Sequence, residues 1–162
     1  VKTKEKLSNE IPYVSAWGIA GPAFWKAAGA SAEGVLTSTT VTIDGPQSPE
    51  RMAFINEYRK RYNEDMAAAV FAVGAYDAVY VYADAVARAK STDPNAVIKE
   101  LEKTDHVGIA GKLVFDETHD VKTGPGLQNL LFVQWQKDGA RVVVWPKEAA
   151  TGKMINPPWL SN

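Results

Sequence analysis

The stretch IPYVSAWGIAGPAFWKAAGASAEGVLTSTTV, residues 11–41, decides the fold. Ile11-Pro12-Tyr13-Val14 is a short apolar run of the kind a buried strand shows, with Pro12 confined to its first positions or to an edge. It ends at Ser15-Ala16-Trp17-Gly18. Gly18, Gly21 and Pro22 then punctuate a turn. Pro22 suits the first turn of a helix, where its missing N–H would be unpaired anyway. Ala23 to Ala28 (AFWKAA) is that helix, and Gly29 its stop. Gly34 to Val41 (GVLTSTTV) is rich in β-branched residues and reads as a second strand. Strand, short helix and strand in close succession make half of a parallel α/β unit.

Beyond this unit, Asp44-Gly45-Pro46 is a loop and the clearest crossing point between parts of the chain. Ser48-Pro49-Glu50 supplies an N-cap, a proline at the first helical position and an acid in the first turn. The helix that follows puts Phe54, Ile55, Tyr58 and Tyr62 on one face, with Arg59, Lys60 and Arg61 near its end. Met66 to Lys90 is a long alanine-rich helix, apolar on most sides except at Asp77 and Asp84, the pattern of a buried helix. Asp93-Pro94 starts another, with Val97, Ile98 and Leu101 as its inner stripe. From His106 the period changes to two. Lys112 to Phe115 is a strand whose edges want pairing. Leu130 to Gln136 and Arg141 to Trp145 flank Asp138-Gly139, a hairpin signal. The tail ends Asn156-Pro157-Pro158-Trp159.

Composition narrows the function. The 162 residues carry 46% hydrophobic and 23% charged side chains, enough for a packed core in one domain or part of a larger one. Eighteen Lys+Arg against nineteen Asp+Glu leave a net charge of −1, without the basic excess of a nucleic-acid binder. There is no cysteine, hence no disulfide, zinc thiolate or cysteine nucleophile. Two histidines cannot build a multi-His metal centre. No apolar run approaches the ~18 residues of a membrane span. Val1 to Glu10 is charged and polar, with no initiator Met and no signal core, so the sequence is expected to be a processed protein or a fragment.

The chemical candidates are few. His119 lies in Glu117-Thr118-His119-Asp120, where neighbours on a turn cannot converge on one ligand. His106 follows a helix end and is expected to act there as a C-terminal cation. Asp116, Glu117 and Asp120 lack the loop length, glycine and final Glu of an EF-hand, so a solvated turn is expected. No serine has a GxSxG context. Gly18-x-x-Gly21 is an incomplete dinucleotide fingerprint. It reads as a tight turn or, more sharply, as close backbone access to a helix N-terminus that holds an anion. Trp17 stands directly after a strand, at the sheet edge where open α/β folds bind ligands. Trp25 is expected to pack. Phe71, Tyr76, Tyr80 and Tyr82 sit on the long helix, where core packing is the first expectation.

Several segments resemble one family. They are Trp17-Gly18-x-x-Gly21-Pro22-x-Phe24, Ala28-Gly29-x-Ser31-Ala32-Glu33-Gly34-Val35, Phe54-x-x-x-Tyr58-x-x-x-Tyr62, Ala75-Tyr76-Asp77-Ala78-Val79 and Ser91-Thr92-Asp93-Pro94-x-Ala96-Val97. Gly111 to Asp116 and Val133-Gln134-Trp135-Gln136-x-Asp138-Gly139 complete the set. In this order and spacing they are similar to the C-terminal part of the periplasmic leucine/isoleucine/valine-binding proteins, the type I substrate-binding proteins of ABC importers.

The resemblance implies an α/β fold of two lobes, parallel sheets flanked by helices, with the N-terminal part missing. Residues 1–43 would be a lobe-two α/β segment, 44–125 a lobe-one helical segment and strand, and 126–162 the return to lobe two. It implies a solute-binding component of an ABC importer that performs no chemistry and needs no cofactor. Its partners would be a small-molecule solute and the membrane permease, and its place the periplasm or cell exterior, with or without a lipid anchor. A ligand-sensing domain of a receptor or regulator with the same fold is the alternative, and an α/β enzyme the weakest one. Trp17, Gly18 and Phe71 are the ligand-binding residues by this resemblance. Amino-acid-binding members carry a glutamate, partner to the ligand's ammonium, where this chain has Trp17. An indole only donates and cannot neutralise a cation, so an organic or aromatic acid, an amide or another amino-acid-like molecule is expected ahead of simple α-amino acids. By itself the chain would leave its lobe-one helices without a sheet. It is expected to pair with another copy or with the missing N-terminal part.

Overall fold

The computed structural model describes residues 13–44, 47–64 and 70–156. The elements run β1 (Val14–Ala16), α1 (Pro22–Ala28), β2 (Leu36–Thr39), α2 (Pro49–Tyr62), α3 (Val70–Ala89), α4 (Pro94–Leu101), β3 (Asp105–Gly108), β4 (Gly111–Val114), β5 (Leu131–Trp135) and β6 (Arg141–Trp145). Short 3-10 turns follow β1, α1, β5 and β6. The sequence expectations at Ile11-Pro12, Gly45-Pro46, Met66 and Pro157-Pro158-Trp159 lie outside the described residues.

One four-stranded sheet has the order β1-β2-β5-β6. β1 and β2 are parallel, with Val14 opposite Leu36, as a strand–helix–strand unit requires. β5 then enters antiparallel beside β2, placing Gln134 opposite Leu36, and β6 folds back on β5. The β5–β6 turn is the Asp-Gly turn read from the sequence. Asp138 and Gly139 both take left-handed φ values, 59° and 77°. A Cβ at Gly139 would also strike the Trp25 indole, which lies across this turn.

α1 covers one face of the sheet. Ala32, Val35 and Trp135 are buried there under Ile19, Phe24, Trp25 and Ala28. Trp25 stacks on Trp135 with centroids 6.0 Å apart, the packing role expected of it. Around β5 the tail is clasped back. Gln134, 1% exposed, donates Nε2 to the Ile155 carbonyl at 2.9 Å and accepts from the Ile155 N–H at 2.8 Å.

The helical part starts where expected. Ser48 Oγ accepts from the Arg51 N–H at 3.2 Å ahead of Pro49, and Asp93 Oδ1 accepts from the Ala96 N–H at 3.0 Å ahead of Pro94. α2 ends at Asn63, which takes the left-handed conformation.

Four expectations change. α3 is not a buried helix. Among its described side chains, Val73, Asp77, Val81 and Ala85 are the buried ones, one stripe at a spacing of four. Phe71, Tyr76, Tyr80 and Tyr82 are exposed rather than packed in a core. On α4, Val97 is buried but Ile98 is exposed, since one short helix against α3 buries a single narrow line. His106 is not a helix cap. It lies in β3, with Nδ1 3.7 Å from Asp84 Oδ2 of α3. The strand at Gly111–Val114 is paired, because residues 105–108 form a hairpin with it.

Candidate functional site

The loop after β1 is built from backbone constraints. Ala16 is extended, Trp17–Ile19 form a single 3-10 turn, and the Ala20 N–H closes it on the Trp17 carbonyl at 3.0 Å. Two distant side chains then hold its next carbonyls. Trp135 Nε1 donates to Ile19 at 2.9 Å, and Arg141 Nη1 donates to Ala20 at 3.0 Å. The Gly18 backbone faces open space, with nothing within 4 Å of where a Cβ would stand.

The structure brings two of the three expected ligand residues together. The rings of Trp17 and Phe71 meet with centroids 5.3 Å apart and planes tilted by 33°. Phe71, in the first turn of α3, is 63% exposed, so the pair sits at a surface rather than in a core. Gly18 adjoins Trp17 and offers access to backbone. The anion site read into Gly18-x-x-Gly21 has few donors. α1 has seven residues, Pro22 lacks an N–H, and the Phe24 N–H is bonded to the Gly21 carbonyl at 3.1 Å.

A second aromatic surface joins α2 to α3. Phe54, Tyr58 and Tyr62 follow one another along α2, and Phe54 meets Tyr76 at 4.8 Å, which in turn meets Tyr80 at 4.8 Å. Tyr76 and Tyr80 also share a hydroxyl–hydroxyl bond of 3.2 Å, which raises the Tyr76 pKa above the usual phenol value. These rings line an open cavity of about 760 Å³. The four-residue spacing along each helix was visible in the sequence, but the contact between helices was not.

Buried polar chemistry concentrates at the β3–β4 turn. Asp77, 3% exposed, accepts from the Ile109 N–H at 2.9 Å and the Ala110 N–H at 2.8 Å. Arg51 Nε donates to the Ile109 carbonyl at 2.6 Å. Burial lowers the Arg51 pKa from its ordinary value, and the Asp77 charge opposes that shift. A Cβ at Gly108 would collide with the Asp77 carboxylate, so glycine is required where this carboxylate meets the strand. With both oxygens engaged by backbone, Asp77 serves the turn.

Among the described residues, no group of three or more His, Cys, Asp or Glu side chains could hold a metal ion. His119 Nε2 lies 3.2 Å from Glu102 Oε1, on a turn organised by Asp116, which accepts from Thr118 and Asp120. Those bonds, the Thr118 hydroxyl's first, hold the Asp116 pKa below the usual carboxylate value. This is the solvated turn expected from the sequence. No helix among the described residues is long and apolar enough to cross a membrane.

Comparison with known proteins adds a family. The model described as "Periplasmic binding protein" matches residues 7–140. The leucine-, isoleucine-, valine-, threonine- and alanine-binding protein of Pseudomonas aeruginosa is 30% identical over 117 residues, 72% of this chain and 29% of that protein. A branched-chain amino acid transporter substrate-binding protein of Streptococcus pneumoniae, solved with isoleucine, is 25% identical with a TM-score of 0.65. The match covers 89% of this chain and 40% of that one. A leucine-binding protein of Thermotoga maritima shares the fold at 24% identity and a TM-score of 0.65, over 81% of this chain and 35% of its own. The chain therefore spans less than a third of the curated relative and 35–40% of these two solved structures.

Proposed function

This chain belongs to the periplasmic binding protein family, and from that premise we propose that it is the C-terminal part of the solute-binding component of an ABC importer. It captures a small organic molecule between two lobes in the periplasm and delivers it to the membrane permease, without chemistry. One observation carries the reading. Trp17 and Phe71, on opposite sides of the segment at Asp44, meet ring to ring at 5.3 Å beside the open backbone of Gly18. Two flat apolar rings and exposed peptide groups make a binding surface for a planar or apolar solute.

On this reading residues 1–43 and 126–162 form lobe two, and residues 44–125 belong to lobe one. The junction of β5 with β2 supports that division, since it returns the chain to the first sheet. The exposed sides of α3 then face a sheet supplied by the rest of the protein. Alone, the chain pairs with a second copy or with that remainder. Light scattering tests this, and a well-folded monomer at micromolar concentration would overturn it.

The solute class follows from Trp17. The indole offers one donor and a π face but no negative charge for an ammonium. An organic acid, an aromatic acid or an amide fits better than the amino acids named for the relatives. A thermal-shift screen of the full-length protein with benzoate, acetamide, L-leucine and L-isoleucine decides. A solute that binds the native state raises the midpoint by mass action, about 2.7 kcal/mol of stability at a hundredfold excess over Kd. Benzoate or acetamide is expected to lead. A larger shift with leucine or isoleucine would overturn the solute class, and conversion of any hit to a product would overturn the binding role.

A further inference from the structure

One guanidinium links the Trp17 loop to Asp44, which lies between β2 and α2. Arg141, at the start of β6, points two of its nitrogens in different directions. Nη2 lies 3.1 Å from Asp44 Oδ1, and Nη1 donates to the Ala20 carbonyl at 3.0 Å. Its Cζ stands 5.7 Å from the centroid of the Trp135 ring, whose Nε1 holds the neighbouring Ile19 carbonyl. Asp44 is itself oriented. The Thr42 hydroxyl donates to its Oδ2 at 2.6 Å, and the Asp44 N–H donates back to that hydroxyl oxygen at 2.9 Å. The Arg141 and Asp44 side chains are only 14% and 19% exposed, so this is a shielded pair rather than a surface contact.

Three segments far apart in sequence therefore meet at one side chain. Ala20 lies 121 positions from Arg141, and among the described residues no backbone ladder joins the Asp44 segment to the Trp17 loop. A planar fork can hold an acid and a carbonyl at once, whereas a lysine ammonium on a flexible stem is not pre-organised to do both. A displacement of Asp44 would pull on the guanidinium, which holds the carbonyl of Ala20, the residue whose N–H closes the 3-10 turn that carries Trp17. We propose that Arg141 is a positioning residue that couples the Asp44 segment to the Trp17 loop, so that reorientation of the helical part against the sheet is transmitted to the ligand-binding ring. The functional sense of this coupling rests on the reading of that loop as a solute site.

Native-state hydrogen exchange in the full-length protein, without added solute, tests the coupling. The reporter is the Ala20 amide, bonded to the Trp17 carbonyl. Asp44→Asn is expected to speed its exchange about tenfold, although Asp44 has no hydrogen bond to residues 17–20. Arg141→Lys is expected to do at least as much, while the amides of β2 and β5 stay within about twofold of the parent. Should Asp44→Asn loosen the whole sheet, Thr42→Val reaches the network through Asp44 alone and is expected to raise Ala20 exchange about threefold. Unchanged Ala20 exchange in Asp44→Asn, or in Thr42→Val where that variant is needed, overturns the coupling. The best solute among benzoate, acetamide, L-leucine and L-isoleucine is then titrated against the same variants. Faster Ala20 exchange with about tenfold weaker binding supports the proposal in full. Faster exchange with unchanged affinity keeps the coupling and refutes the loop as a solute site.

Discussion

The sheet and the helical part of this chain fold by different means. In the sheet, the packed face is covered from within the chain. α1 lies between the strands it connects, β6 returns on β5 through the short turn at Lys137–Gly139, and Trp135 ends 2% exposed. The helical part has well-formed ends and a hairpin at β3–β4, yet α3 leaves Phe71 63%, Val79 68% and Tyr82 54% exposed. Its buried line is held by Val73 with Ile55, Val41 and Ile109, by the packing of α4, and by the carboxylate of Asp77. Hydrophobic side chains stabilise a fold only where another surface removes them from water. The sheet has that surface within the chain; α3 has it along one stripe.

The sharpest way to break this comparison is a pair of truncations in the chain alone. Trp135→Ala is expected to cost about 3–5 kcal/mol, because it removes the centre of a buried cluster. Val79→Ala is expected to cost less, about 1–2 kcal/mol, through the pairing with a second copy that takes this side of α3 out of water. Urea unfolding measures both. A Val79→Ala cost within about 0.5 kcal/mol would mean that this side of α3 stays bare in solution, against pairing with a second copy.

Next in size is the polar clasp that the helical part uses where apolar layers are thin. Asp77→Ala leaves the Ile109 and Ala110 N–H groups without their acceptor and is expected to cost about 1.5–3 kcal/mol. The loss should appear as faster amide exchange at the β3–β4 turn, with the four-stranded sheet unaffected. Equal loss of protection in both regions would show that they unfold as one unit.

At the junction of the regions, Trp17→Ala is expected to weaken solute binding by about 1–3 kcal/mol while changing stability little, as an aromatic anchor does. Calorimetric titration of the full-length protein reads this directly. Unchanged affinity would return Trp17 to a packing role beside Phe71.

The smallest effect concerns the α3–α4 contact. The Lys103 ammonium, bonded at 2.6 Å, and the nearby Arg88 guanidinium hold the Glu100 carboxyl below its usual pKa. A carboxyl depressed in the folded state contributes stability above its unfolded pKa, and the contribution is lost as pH falls through the folded value. The stability difference between the parent and Glu100→Gln should therefore be present at about pH 7 and shrink below about pH 4. A difference independent of pH would show that Glu100 acts by packing.

Much of the architecture was legible in local sequence. Pro22, Pro49 and Pro94 each open a helix, Ser48 and Asp93 cap two of them, and Asp138-Gly139 makes the β5–β6 turn. The parallel β1–β2 pair was legible from a strand, a seven-residue helix and a strand in succession. Of the candidate site, Trp17 stood out because it follows a strand directly, whereas Phe71 was distinguished only by family resemblance.

Local residues set where elements start, stop and turn, because caps, prolines and left-handed turns act within a few positions and satisfy backbone groups nearby. Only the tertiary structure decided what those elements touch. The same apolar pattern on α3 fits a buried helix or a bare one, since periodicity records which side chains are apolar and not whether a surface arrives to cover them. The meeting of Trp17 with Phe71, the clasp of Asp77 on Ile109 and Ala110, and the reach of Arg141 to both Asp44 and Ala20 span 32 to 121 positions. No local preference encodes such contacts. They exist because strand order and helix packing bring chain segments together, and the direction of each side chain follows from the surface it is packed against.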